Sequence, residues 1–219
     1  MKSARLLILC VAALHVEAQP RVVGGKFETR AIGSTLEAEV EKLRTETSTK
    51  PTWVVWSVPA ADREHNSCCY HSDNFVSWRG CALEKTTGAP QAAGTGGPVS
   101  LENPKDVLVL VRFEAGKADK IRTLSADCEM DPVDARLVFL SNAKPSESVT
   151  LLSKYLSDKE RQRSAVDAIG AHADDSATQL LIDLARNSNE PKIRRSAVTR
   201  LGRSSDPRAR QFIEEILLK

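Results

Sequence analysis

The apolar positions of the chain change their spacing twice, and each change marks a boundary. Behind the basic head Met1-Lys2-Ser3-Ala4-Arg5, Leu6 to Leu14 is an unbroken apolar run of nine residues. A helix crossing the hydrocarbon of a bilayer needs about 20, so this run is too short to anchor the chain. Val16 and Ala18 place compact residues at the two positions that a signal peptidase reads, which is the anatomy of a secretory leader, residues 1–18, removed after Ala18. A lipoprotein leader would acylate Cys10, and Leu9 just before it is too bulky for that. Residues 19–33 follow with Pro20, Gly24, Gly25 and little periodicity, so a flexible N-terminus without core positions is expected there.

From residue 34 to 144 the pattern is that of a small α+β domain. Ser34-Thr35-Leu36-Glu37 has the form of a capping box, and Leu36, Val40 and Leu43 recur at helical spacing up to about Glu46. Thr52 to Val58 is rich in Trp and Val and ends at Pro59, which predicts a strand; a second is expected around Val76 to Leu83. Val107 to Glu114 and Lys120 to Leu124 flank Ala115-Gly116-Lys117, a hairpin in which Gly116 supplies the positive φ. Arg136 to Leu140 is a final short strand. Together these predict an antiparallel or mixed sheet with one helix. The carboxylates Asp127, Glu129 and Asp131 read as a polar turn after the hairpin.

After Pro145 the spacing becomes helical throughout. Ser146 to Leu156 predicts one helix. Beyond it, Arg163-Ser164-Ala165-Val166-Asp167-Ala168-Ile169-Gly170 aligns with Arg195-Ser196-Ala197-Val198-Thr199-Arg200-Leu201-Gly202, an offset of 32 residues. The register continues through Asp174 with Asp206, Ala177 with Ala209, Leu181 with Ile213 and Leu184 with Ile216. Gly170 and Gly202 are expected to end a first helix in a left-handed turn. Asp174 or Asp175, and Asp206, are expected to cap a second, with Pro191 and Pro207 in first turns. Two short helices cannot bury their apolar faces alone, so successive units must stack, which is the logic of an α-solenoid of about two and a half units over 145–219.

Composition adds the limits. Hydrophobic residues make up 41% of the 219 and charged residues 27%, enough apolar material for one or two small domains and too much for a disordered chain. Thirty-one Lys and Arg against 29 Asp and Glu leave a net charge of +2. Within 145–219 the excess is again 13 − 11 = +2, too little to neutralise many phosphates, so nucleic acid is not expected as a partner. No stretch after the leader approaches transmembrane length, so no stable membrane insertion is expected.

Once exported, the chain retains Cys68, Cys69, Cys81 and Cys128, an even number in an oxidising compartment, the periplasm or the exterior. Pairing the neighbours Cys68 and Cys69 would close a strained ring, so one of them is expected to bridge to Cys81 and the other to Cys128. A metal site built from these thiols with His65 and His71 lacks any C-x-x-C pair. Gly94-Thr95-Gly96-Gly97 is followed by Pro98-Val99 rather than by the Lys and hydroxyl of a phosphate loop, and 89–98 reads as a surface loop. Zinc-protease, nucleophile-elbow and dinucleotide signatures are absent from the sequence, so neither cofactor nor catalytic residue is expected.

The string Pro191-Lys192-Ile193-Arg194-Arg195-Ser196-Ala197-Val198-Thr199-Arg200-Leu201-Gly202, followed by Asp206-Pro207, resembles the short HEAT-like repeat first described in phycobilisome lyases. The segment from Trp53 through Cys68-Cys69, Cys81-Ala82-Leu83-Glu84 and Ser125-Ala126-Asp127-Cys128 resembles the leading region of small exported HEAT-repeat proteins without assigned activity. The resemblance implies architecture and carries no functional residue, because such repeats serve many scaffolds. The expectation is an exported, non-catalytic interaction or assembly module whose partner is another protein. Arg161, Arg194, Arg200 and Arg208 are its candidate contact residues. The alternative is an enzyme, or a metal or redox protein, using the cysteine region. Bilin attachment fits poorly, since such lyases resemble longer solenoids acting inside cells.

Overall fold

The computed structural model describes residues 17–46, 50–61, 68–73, 76–85 and 105–218. The elements are β1 (Arg21–Val22), β2 (Lys26–Ala31), α1 (Leu36–Thr45), β3 (Thr52–Pro59), β4 (Tyr70–Asp73), β5 (Val76–Ala82), β6 (Asp106–Glu114), β7 (Lys117–Ser125), β8 (Glu129–Asp131) and β9 (Arg136–Ser141). The helices α2 (Pro145–Ser153), α3 (Gln162–Ile169), α4 (Asp175–Asn187), α5 (Pro191–Leu201) and α6 (Pro207–Leu217) follow. A sheet region therefore precedes a helical one, as expected. The leader up to Val16, the loop 89–98 and His65 lie outside the described residues.

The main sheet is mixed, in the order β2-β9-β3-β6-β7. β3 pairs antiparallel with β6 along its whole length and parallel with β9. β6 and β7 form the expected hairpin, whose two turn residues both take positive φ, 48° at Ala115 and 73° at Gly116. That geometry matches the twist of the strands it joins. A second sheet, β1-β8-β5-β4, is smaller.

Alternation along the central strands sorts side chains into two cores. Val54, Trp56, Val58, Val107, Val109 and Val111 face Leu36, Val40 and Leu43 of α1 and continue without a break into Leu152, Val166, Ile169 and the later helices. Trp53, Val55, Leu108, Leu110, Leu137 and Phe139 face the other way, against Cys81, Leu83, Cys128 and Met130. The sheet is thus a middle layer, with helices on one face and the cystine-bearing sheet on the other.

Several expectations are corrected. Residues 19–33 are not a structureless terminus: β1 pairs with β8, and β2 runs parallel to β9 from Lys26 opposite Arg136 to Ala31 opposite Ser141. Gly24 and Gly25, with φ of 72° and 64°, make the corner between them, and a Cβ on Gly25 would stand 2.3 Å from Pro132. Glu129 to Asp131 is a strand rather than a turn, with Met130 fully buried. The cap of α1 is Thr35, not Ser34: its hydroxyl accepts from the Ala38 N–H at 3.2 Å. α2 stops at Ser153 and tightens into a 3-10 turn over Lys154–Ser157.

Asp174 and Asp206 do cap α4 and α6, accepting from Ser176 and Arg208 N–H groups. Gly170 and Gly202, however, are right-handed, with φ of −67° and −64°. Gly170 is needed for a different reason. A Cβ there would lie 2.6 Å from Arg200 Cβ and Cγ, so its bare backbone lets the arginine of the second copy lie across the first. Ser196 and Arg200 also donate to Asp167, at 2.9 and 3.0 Å, and tie the two copies together.

Candidate functional site

Each of the four candidate arginines is engaged within the chain. Arg161 pairs with Asp158 at 2.6 Å, Arg194 donates to the Ser188 carbonyl at 2.7 Å, and Arg200 holds Asp167. Arg208 bridges Asp206 and Asp175, at 2.6 and 2.7 Å. They sit on α3's N-terminal flank, α5 and α6, and only Arg208 lines a cavity among those described. Ser141 and Lys144 have the spacing of a serine–lysine nucleophile pair, but Lys144 Nζ is held by Glu147 at 2.9 Å and the Ser141 hydroxyl donates to the Arg30 carbonyl at 3.4 Å.

The cysteines pair as Cys68–Cys128 and Cys69–Cys81, with Cα separations of 5.5 and 4.9 Å, which chooses between the arrangements left open by the sequence. The sulfurs of Cys68, Cys81 and Cys128 lie within 4.8 Å of one another, yet all are consumed in bridges and offer no thiolate to a metal. His71 is on β4, paired through its backbone with Trp78.

The Arg208 cavity is a groove of about 600 Å³ lined by Ala61, His172, Ala173, Asp174, Asp175, Thr178, Ser204, Ser205, Asp206, Pro207 and Arg208. Its walls are equivalent parts of the two helical copies, the turn before α4 and the turn before α6, a consequence of the 32-residue offset. The Arg208 guanidinium and the Arg208 N–H hold the Asp206 carboxyl down at about 2, so it stays ionised. Three aspartates face one arginine along the groove, and the α4 and α6 caps give each turn a fixed shape.

The floor rests on the sheet. Ala61 N–H donates to the Ala171 carbonyl and Ala173 N–H to the Pro59 carbonyl, at 2.9 and 2.8 Å, so the turn after α3 is stitched to the end of β3. His172 fills this joint at 2% exposure. Trp56 Nε1 donates to Ser148 Oγ at 2.7 Å, which leaves the Ser148 proton for His172 Nε2, also at 2.7 Å. Nδ1–H then donates to the Ala168 carbonyl at 2.8 Å. Every polar atom of the relay is satisfied by a neutral imidazole, and burial pushes the His172 pKa down to about 4. Sequence reasoning overlooked His172 and Ser148; a lone histidine beside the turn carries no spacing signal, and only the partner Trp56, across the core, gives it meaning.

Comparison with known proteins agrees with the helical geometry. No curated protein and no solved structure matches the chain. A protein-family model described as HEAT repeats matches residues 145–219, the span from the first residue of α2 through α6.

Proposed function

We propose that the protein is an exported, non-catalytic interaction module, in which phycobilisome-lyase-type HEAT-like units stack as a short solenoid on a disulfide-bonded sheet. HEAT repeats suggest a protein-interaction or scaffold role, and the match over 145–219 is the observation that carries the reading. The leader-like residues 1–18 and the two cystines support export. The contact surface is the groove between the two equivalent turns, because it joins both copies and has the sheet as a rigid floor. Its aspartates suit an extended polypeptide segment that brings N–H donors and a basic side chain, while Arg208 fixes their orientation.

The test is a photo-crosslinker at Ser205 in the chain expressed with its leader, compared with the same chain carrying Thr178→Arg and Ser204→Arg. One protein crosslinked through Ser205, and lost in the double variant with unchanged circular dichroism, supports the reading. Equal crosslinking in both would overturn it. Sequencing the exported chain tests the leader independently: the expected first residue is Gln19, and a chain retained in the cytoplasm with Met1 would sink the export half.

A further inference from the structure

The two cystines are not independent. Cys81 Sγ lies 3.8 Å from Cys128 Sγ, although each is bonded elsewhere. Both are fully buried, and the strands β5 and β8 hold them together, with Cys81 opposite Met130 and Cys128 just before β8. Their partners Cys68 and Cys69 are consecutive in the chain and half-buried at the edge of the same core. Two inner sulfurs in contact, with two outer cysteines that are neighbours in the chain, permit a second pairing in which the inner pair is bridged and the outer pair is released.

We propose that this cluster is a thiol–disulfide exchange site: addition of two electrons leaves Cys81 bridged to Cys128 and presents Cys68 and Cys69 as an adjacent dithiol to a redox partner of the dithiol class. The sequence of bonds follows from access. A thiolate of the partner attacks Cys69, the accessible sulfur of its bridge; a mixed disulfide forms at Cys69, and Cys81 leaves as a thiolate. That thiolate lies in the apolar core that also holds Leu83, Met130, Leu137 and Phe139, where the Cys69 N–H reaches the Cys81 sulfur at 2.9 Å but bulk water does not solvate the charge. It turns about its Cα–Cβ bond and attacks Cys128. The Cys81–Cys128 bond forms, the Cys68–Cys128 bond breaks, and Cys68 leaves as a thiolate at the half-exposed edge, where water supplies its proton. The exchange is driven outward because it moves the charge from the apolar core toward solvent. The partner's second thiol then resolves the mixed disulfide, releasing Cys69 as a thiol and the partner as its disulfide. The partner loses two electrons and two protons, and the protein exchanges one of its two bridges for two thiols.

Mapping of the half-reduced species tests the proposal. The full oxidised chain is treated with one equivalent of a small dithiol, quenched in acid, alkylated and digested for mass spectrometry. The expected product carries two alkyl groups on the peptide that contains Cys68 and Cys69, and a crosslink between the Cys81 and Cys128 peptides. Alkylation of Cys69 and Cys81 with Cys68–Cys128 intact would overturn the proposal, as would alkylation of Cys68 and Cys128 with Cys69–Cys81 intact. So would a mixture holding only the untouched and the four-thiol chain.

Discussion

In the sheet, β3 is buried from Thr52 to Val58 and β6 from Asp106 to Phe113, on both faces. In the helical region burial thins with distance from the sheet: α3 buries Ala165, Val166, Ala168 and Ile169, α5 buries Ile193, Ala197 and Leu201, and α6 only Ala209 and Phe212. A strand in a middle layer finds apolar neighbours on both sides, whereas each short helix depends on the element before it. The face carrying Trp56 and Val109 therefore does for the first helices what a preceding helical unit would do for a later one.

That contrast can be tested from its strongest point downward. On the sheet side, the Cys68–Cys128 bridge closes a 60-residue separation and Cys69–Cys81 one of 12. Chain-entropy reasoning gives about 4 kcal/mol for the first and about 3 kcal/mol for the second. Urea titration of the Cys68→Ala/Cys128→Ala and Cys69→Ala/Cys81→Ala chains should rank them in that order; equal losses would show that loop length is not what these bridges constrain.

The joint between the regions comes next. His172 is neutral in the folded chain with a pKa of about 4, against about 6.5 unfolded. The unfolded chain therefore binds the extra proton first, so this contribution is full above pH 6.5 and falls as the pH drops toward 4. The loss is about 3 kcal/mol. The carboxylate facing it, Asp174, favours the charged imidazole and works against the burial. Denaturant melts between pH 7 and 4 should show the decline, and His172→Gln should flatten it; an unchanged slope would assign the decline to carboxylates elsewhere.

Within the helices, the two equivalent glycines should behave differently. Gly170→Ala pushes a methyl into Arg200 and should cost about 1 to 3 kcal/mol. At Gly202 a Cβ would meet only the Val198 and Thr199 carbonyls at 3.5 Å or more, and its φ suits alanine. Gly202→Ala should be neutral or stabilise by up to about 1 kcal/mol. Thermal melts of the pair decide it, and equal effects would mean that the overlay of one copy on the next is unimportant. The smallest effect belongs to Arg186, which pairs with Glu215 at 2.8 Å and lies over the Phe212 ring in a half-exposed setting. Arg186→Ala should cost at most about 1 kcal/mol and less in high salt.

What the sequence revealed follows the same division. β3 and β6 were legible because burial on both faces demands unbroken apolar runs, and the helical copies because their caps and prolines recur at 32 residues. β2 was not, since an edge strand reading Lys26-Phe27-Glu28-Thr29-Arg30-Ala31 carries ion pairs from Arg30 and Arg136 to Glu28 and Glu46 in place of an apolar face. β8 was too short to show a period. The positions of Gly170 and Gly202 at helix ends are legible, but the reason for Gly170 is not, because the side chain that requires it, Arg200, comes from thirty residues further on. The groove was hidden for a similar reason: its lining is drawn from two turns and the end of a strand, and no local string contains it.

The hydrogen-bonded path from Trp56 through Ser148 to His172 also makes the chain its own instrument. An indole one hydroxyl away from an imidazole is quenched more strongly when that ring becomes cationic, so ultraviolet emission from Trp56 should dim as the joint takes up its proton. Read in a Trp53→Phe/Trp78→Phe chain, that emission would report in real time the protonation of the joint where the helices meet the strands.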